Sequence, residues 1–346
     1  MSNNMDVRLI IKPYFATMVA LCICIICLLL AAGCGQEQRS VDLYVDAVML
    51  KELNENEMAV KKLDSAVKLN KRFSLAYSLL GEIYQEMEDY EKSAASYEKA
   101  TELNPWSFKD YFNLGRVYQI KKKFTQAVKA YDKACELKPD YLEAHINAAK
   151  SYYEIKDYNS ALIYGERAER IDPNVGEIQK MFGDIYESRK DYGQAIAFYK
   201  RALEIDSNNP EIMISLAVAY LKTGRTSTAK ELLTAVIQIQ PDNNTAYKHL
   251  GFCFLQLKDV DKAIESYSRA IEIDDKDWES HRGLGVAYIL KGKNADGTVD
   301  ETLKTKAIQQ WRLSLEIKPD QPNRERLLKL IQYYSKEERV AGLRTK

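Results

Sequence analysis

The sequence predicts an all-α solenoid of eight helix-turn-helix repeats with a capping helix at its C-terminal end. Three observations carry the prediction. Leu80-Gly81, Leu114-Gly115, Phe182-Gly183, Leu250-Gly251 and Leu284-Gly285 recur so that neighbouring glycines stand either one or two lengths of a single fixed period apart. Tyrosines three positions further on (Tyr84, Tyr118, Tyr186, Tyr288) keep that period, as do Tyr152 and Tyr220, where Ala149 and Ala217 replace the glycine. The second half of each repeat brings back an alanine (Ala127, Ala161, Ala195, Ala229, Ala263) and closes on a proline (Pro105, Pro139, Pro173, Pro241, Pro319), where a helix must stop. A fixed period of this length marks stacked supersecondary units, none of which can bury its apolar face alone.

Residues 1 to 33 read as an export segment. Arg8 and Lys12 precede an uncharged run from Pro13 to Gly35 containing Val19 to Leu30, a basic start followed by an apolar core. The run ends Leu30-Ala31-Ala32-Gly33-Cys34 and resembles the lipobox of bacterial lipoproteins. That resemblance implies cleavage before Cys34, lipid attachment to its thiol, and a short tether over 34 to 39. The alternative is an uncleaved inner-membrane anchor, since the run approaches the roughly 20 residues that span a bilayer. In both readings the preceding positive charges stay in the cytoplasm and the repeats lie outside it. Gly35 after the cysteine implies, by resemblance to Gram-negative lipoproteins, the periplasmic face of the outer membrane.

The repeats are placed at 40 to 73, 74 to 107, 108 to 141, 142 to 175, 176 to 209, 210 to 243, 244 to 277 and 278 to 321. The first keeps only Ala59, Leu63 and Ala66 of the second-helix signature, and the last carries ten extra residues between its helices. Small residues at the eighth and twentieth positions let two helices approach, and the tyrosines fill the space beside them. After Pro322, Asn323 is suited to cap a last helix on which Leu327, Leu328, Ile331 and Tyr334 share a face. Glycine at the eighth position with tyrosine three on, the alanines and the closing proline together resemble the tetratricopeptide repeat. The resemblance implies a right-handed superhelical solenoid over residues 40 to 321, with residues 322 to 346 as capping helix and tail.

Composition narrows the function. Fifty basic residues balance fifty acidic ones, which leaves no field to draw nucleic acid. Four of the six cysteines, Cys22, Cys24, Cys27 and Cys34, stand before the first repeat, so Cys135 and Cys253 form no disulfide framework. His145, His249 and His281 stand at no metal-ligand spacing, and His145 and His281 take the fourth, inward position of their repeats. Gly283-Leu284-Gly285 follows a helical stretch rather than a strand, and so is no phosphate loop. The segment around Asp296 and Asp300 superficially resembles a calcium loop, but placing Gly297 sixth leaves Gly292 first and Leu303 twelfth, without chelating ends. No catalytic residues, metal, cofactor or small-molecule substrate are expected.

Family resemblance implies that the first helix of each repeat lines a concave groove through its second, fifth, sixth, ninth, twelfth and thirteenth positions. In repeats three and four these include Lys109, Asn113, Arg116, Asn147 and Lys150, a basic and amide-rich patch suited to carboxylates or backbone amides. Glu177, Met181 and Asp184 in repeat five leave the carboxylate clamp of some family members incomplete. In repeats six to eight the positions turn apolar: Val218 and Leu221, Phe252 and Leu255, Val286 and Ile289. The expected function is a non-catalytic, lipid-anchored scaffold that binds protein partners and assists assembly of an envelope complex: pilus secretin, outer membrane or polysaccharide export. The alternative is an adaptor or regulatory subunit that recruits a cell-wall or polysaccharide enzyme.

Overall fold

The computed structural model describes the backbone of residues 35–344 and the side chains of residues 35–335. Cys34 and the apolar run before it lie outside the described residues. Seventeen helices and one isolated bridge, Lys293 to Val299, make up the regular structure of the described residues. They fall into two compact units divided between Ile171 and Asp172.

The N-terminal unit holds repeats one to four: α1 (35–52) with α2 (Asn56–Leu69), α3 (Ser74–Glu86) with α4 (Tyr90–Leu103), α5 (Phe108–Ile120) with α6 (Phe124–Leu137), and α7 (Leu142–Glu154) with α8 (Tyr158–Ile171). The C-terminal unit holds α9 (Gly176–Ser188) with α10 (Tyr192–Ile205), α11 (Pro210–Lys222) with α12 (Thr226–Ile239), α13 (Asn244–Gln256) with α14 (Val260–Ile273), α15 (Trp278–Gly292) with α16 (Glu301–Ile317), and last α17 (Arg324–Arg344). From α3 to α15 each first helix starts one full period after the one before, at the boundaries the period predicts. Residues 35–39, expected as a tether, are helical and continue into α1.

The two helices of a repeat meet where a glycine faces a ring. A Cβ on Gly81, Gly115, Gly183 or Gly251 would come within 2.8 Å of Tyr97, Tyr131, Tyr199 or Tyr267, always sixteen positions later. Where the glycine is replaced the partner shrinks: Ala149 is matched by Gly165 and Ala217 by Leu233, all four buried. In repeat eight Trp311 takes the ring's place, its Nε1 2.4 Å from where a Cβ on Gly285 would lie. The extra chain of that repeat is thus passed over without loss of the pairing.

The turn between first and second helix is equally regular. Asn54, Glu88, Lys122, Lys156, Lys190, Gly224 and Lys258, each one period after the last, have positive φ. The next residue donates its N–H to the carbonyl five back, as Asp89 does to Tyr84 (2.8 Å) and Asp191 to Tyr186 (2.9 Å), which satisfies carbonyls the helix end leaves open. Asp89, Asp191 and Asp259 then cap the second helix through the side chain. Gly292 holds the same register in repeat eight, but there it is the last residue of α15 and is not among the positions of positive φ.

At the C-terminal end α17 takes the place of a further first helix. Leu327 is buried with Ile289, Ala307 and Trp311, and Leu330, Ile331 and Tyr334 pack beside it. Leu328, expected on this face, is exposed instead. The packed residues follow i, i+3, i+4, i+7, a stripe that includes position 330 and excludes 328. Asn323 does not act as a side-chain cap: its φ is 63°, outside the extended cap conformation.

Candidate functional site

In the C-terminal unit, α11, α13 and α15 stand side by side and α17 closes one end, leaving a groove of about 720 Å³. Its apolar lining is Val218 and Leu221 from α11, Phe252 and Leu255 from α13, and Val286 and Leu290 from α15, with Leu327 and Leu330 from α17. Phe252 is 42% exposed and Leu290 46%. Five of the six apolar residues expected at groove positions are therefore brought together. The sixth, Ile289, is not presented: α17 docks beside it, and it is core with Trp311 and Leu327. Its neighbour Leu290, at the next position, faces the groove in its stead.

Tyr267 lines the groove although it belongs to a second helix, α14. The reason is local. A Cβ on Gly251 would stand 2.8 Å from its ring and one on Gly283 2.4 Å, so two successive first helices both give way to it. Gly283 thus serves ring packing, and it sits inside α15 rather than in a phosphate-binding turn. Burial, opposed by Arg282, keeps the Tyr267 phenol above the usual range.

Charged residues line the same groove. Lys222, Lys248, Arg282 and Arg326 stand there against one carboxylate, Glu279. Lys248 Nζ is 2.8 Å from Glu279 Oε2 and 3.7 Å from Asp277 Oδ1. Arg282 lies 4.8 Å over the Trp278 ring and donates to the Pro322 carbonyl at 3.3 Å. His249, between them, is lowered to about 4, chiefly by burial and then by Lys248, so it is neutral at pH 7. The groove is an apolar strip with a net positive rim.

The patch expected in the N-terminal unit is less uniform. Lys109 Nζ sits 2.9 Å from Glu82 Oε2, a carboxylate it shares with Lys51 of α1, and the Lys109 side chain stays 71% exposed. Burial of Glu82 works against its charge, yet hydrogen bonds from Lys51 and Lys109 hold the carboxyl below its usual range. Asn113, expected on the surface, is buried in α5 because position six of that helix faces the packed interior. Arg116 is exposed and lies 6.0 Å from the Phe112 ring; Asn147 and Lys150 are half-buried on α7.

His145 and His281 are buried, each with Nε2 near a main-chain carbonyl: Pro139 at 2.8 Å and Asp275 at 3.0 Å. Cys135 and Cys253 are buried free thiols, both raised by burial, to about 12 and about 11. Tyr267, His249 and the α17 residues line the groove without having been expected there. Gly251 and Gly283, the two glycines that flank Tyr267 at equal distance along the chain, were the available signal.

Profiles of the tetratricopeptide repeat match residues 74–107, 117–156, 188–251 and 245–277. The chain carries tetratricopeptide repeats. Over 90 residues, 26% of the chain, it is 36% identical to the mitochondrial import receptor subunit TOM70 of Rattus norvegicus and 34% to that of Homo sapiens. The match spans 14% of the length of those relatives. Among solved structures, a tetratricopeptide repeat protein from Parabacteroides merdae superposes with a TM-score of 0.56 at 15% identity, covering 75% of this chain and 98% of that one. Pseudomonas aeruginosa pilF gives 0.50 at 20% identity, covering 60% and 94%. At these identities the structural likeness speaks for the fold.

Proposed function

We propose that this chain is a non-catalytic scaffold that holds another protein in the groove of its C-terminal unit. One observation carries the reading: three successive first helices present Val218, Leu221, Phe252, Leu255, Val286 and Leu290 along one open, cation-rimmed strip. Contiguous exposed apolar surface of this kind marks an interaction site. The similarity to a receptor subunit over 90 residues supports a protein-recognising use of the repeats. We place the scaffold at a membrane, outside the cytoplasm, held by lipid on Cys34 at the end of Leu30-Ala-Ala-Gly-Cys34, and serving assembly of an envelope complex.

The test uses the full chain as bait on solubilised membranes, followed by affinity measurement on whatever protein is captured. Phe252 and Leu255 each contribute about 1.5–3 kcal/mol if fully desolvated by the partner. The double change Phe252→Ala with Leu255→Ala is therefore expected to weaken binding by about a hundredfold or more, with circular dichroism unchanged. Lys109→Ala with Arg116→Ala, in the other unit, is expected to alter salt dependence at most. Wild-type affinity in a folded Phe252, Leu255 double variant would remove the groove from consideration. For the anchor, Cys34→Ala should leave an uncleaved precursor, and mass spectrometry showing an unmodified N-terminal segment on the wild type would overturn it.

A further inference from the structure

The first helix of the array has an open side. In every later first helix the third, seventh and tenth positions are buried; at the tenth stand Ile83, Val117 and Cys253, for instance, all at 0% exposure. In α1 the same positions are Asp42, Asp46 and Met49, all exposed, Met49 at 61%. Val41 and Val45 continue the stripe at four-residue spacing, and the opposite side of α1 faces the core through Ala47, Tyr44 and Val48. The stripe's edges are net acidic: Asp42 and Asp46 lie on one edge, with Asp46 also paired to Lys62 at 2.7 Å, and Glu37 and Glu52 lie near its ends, against Arg39 and a Lys51 that is itself paired with Glu82 and Glu86. A terminal helix with an exposed apolar row and acidic edges has the complement of the groove's chemistry, an apolar strip with cations on its rim.

We propose that the stripe of α1 in one copy docks into the groove of the C-terminal unit in a second copy. The proposal rests on the reading of that groove as a docking surface. The dimensions agree. Val41 to Met49 spans about 12 Å at about 1.5 Å per residue, and three first helices packed at about 8–10 Å intervals present a strip about 16–20 Å across. A groove of about 720 Å³ takes a row of side chains rather than a whole helix, which suits a helix already packed on its other side. Val45 and Met49 meet Phe252 and Leu255, while Asp42 faces the rim of Lys222 and Arg326. Such a head-to-tail contact uses two different surfaces, so each copy keeps one stripe or one groove open, and the assembly extends or closes into a ring.

The experiment is sedimentation of the full chain in mild detergent over a range of concentrations, with two variants. Val45→Lys with Met49→Lys disables the stripe at exposed positions, and Phe252→Lys with Leu255→Lys disables the groove; circular dichroism and thermal melting confirm that both fold. Wild type is expected to associate with rising concentration, and each variant alone to remain monomeric, with association weakened about a hundredfold or more. An equimolar mixture of the two variants should give a one-to-one heterodimer and nothing larger, because the mixture contains one intact stripe and one intact groove. A wild type that stays monomeric at all concentrations, variants that associate as wild type does through residues 1–34 or another face, or a mixture that fails to pair would each overturn the proposal. A monomeric wild type whose Phe252, Leu255 variant still loses a captured protein would refute the self-docking and leave the groove reading standing.

Discussion

Replacing Gly183 by alanine tests the contact on which every repeat is built. The added Cβ would stand 2.4 Å from Tyr199 Cε1, whereas carbon atoms in good contact sit about 3.5–4.0 Å apart, so the ring must retreat by roughly 1 Å. It has nowhere easy to go. Tyr199 is fully buried, and its hydroxyl lies 2.8 Å from Asp184 Oδ1 and 2.9 Å from Glu187 Oε2, both acceptors. Overpacking of this kind costs about 1–3 kcal/mol, while alanine in place of glycine in a helix returns about 0.8–1.0 kcal/mol. A 2.4 Å approach to a ring held on all sides places the overpacking cost at the upper end of its range, so the expected net loss is about 2 kcal/mol in the C-terminal unit. Gly193→Ala, ten positions on in α10, is the control, since only Asp191 Oδ1 lies within 4 Å of its Cβ, at 3.5 Å. The same substitution there should stabilise by about 0.5–1 kcal/mol. Urea unfolding followed by far-ultraviolet circular dichroism measures both. Adding Tyr199→Leu to Gly183→Ala reproduces the Ala217 and Leu233 pair of repeat six, and should cost less than the two single changes summed. If Gly183→Ala proves as stable as wild type, close approach is not what holds glycine at this position.

Three further outcomes are expected. Lys122→Gly, at a φ of 55°, relieves a left-handed conformation that disfavours a Cβ, and should raise stability by about 0.5–1 kcal/mol in the same urea assay. Leu327→Ala removes a side chain buried against Ile289 and Trp311 and should cost about 2–3 kcal/mol, read as a lower melting temperature and greater quenching of tryptophan fluorescence. His249 is lowered in the fold by burial and by Lys248, to about 4 against about 6.5 unfolded, so the unfolded chain takes up the proton first as pH falls. Its stability contribution is whole above about pH 7 and is lost toward pH 4; between pH 7 and 5 wild type should lose about 2 kcal/mol more than His249→Gln, measured by urea unfolding at each pH.

The helices are legible because their signal is repeated. A glycine once per period with a tyrosine three on fixes the register of one face, and the first helices from Ser74 to Trp278 begin where that register puts them. Which side chain a single, unrepeated helix presents is less legible, because neighbours on a helix differ by only about 100°. For that reason the pattern on α17, a helix with no second copy in the chain, points to Leu328 where the fold uses Leu330. Ile289 departs from expectation on other grounds: its position opens onto the groove in α11 and α13, and is covered in α15 only because α17 follows. The contact of Lys109 with Glu82 is not legible because Glu82 belongs to another repeat, a pairing that helical spacing along one segment does not reveal. Residues 35–39 carry no repeat signal at all, and their helix is visible only in the structure.

The passage through Gly292 has a practical consequence. Every other repeat turns sharply at this point in left-handed backbone, while repeat eight inserts a small bridged loop, with Asp296 accepting from Thr298 N at 2.9 Å, and still lands Trp311 against Gly285. The molecule therefore carries its own demonstration that chain can be added between the two helices of a repeat without undoing their pairing. Epitopes, fluorophore-binding peptides or a whole small domain whose termini lie close together could be spliced into the turns at Lys122, Lys156, Gly224 or Lys258. The array would then serve as a ruler, with attachment points spaced by one repeat along each unit.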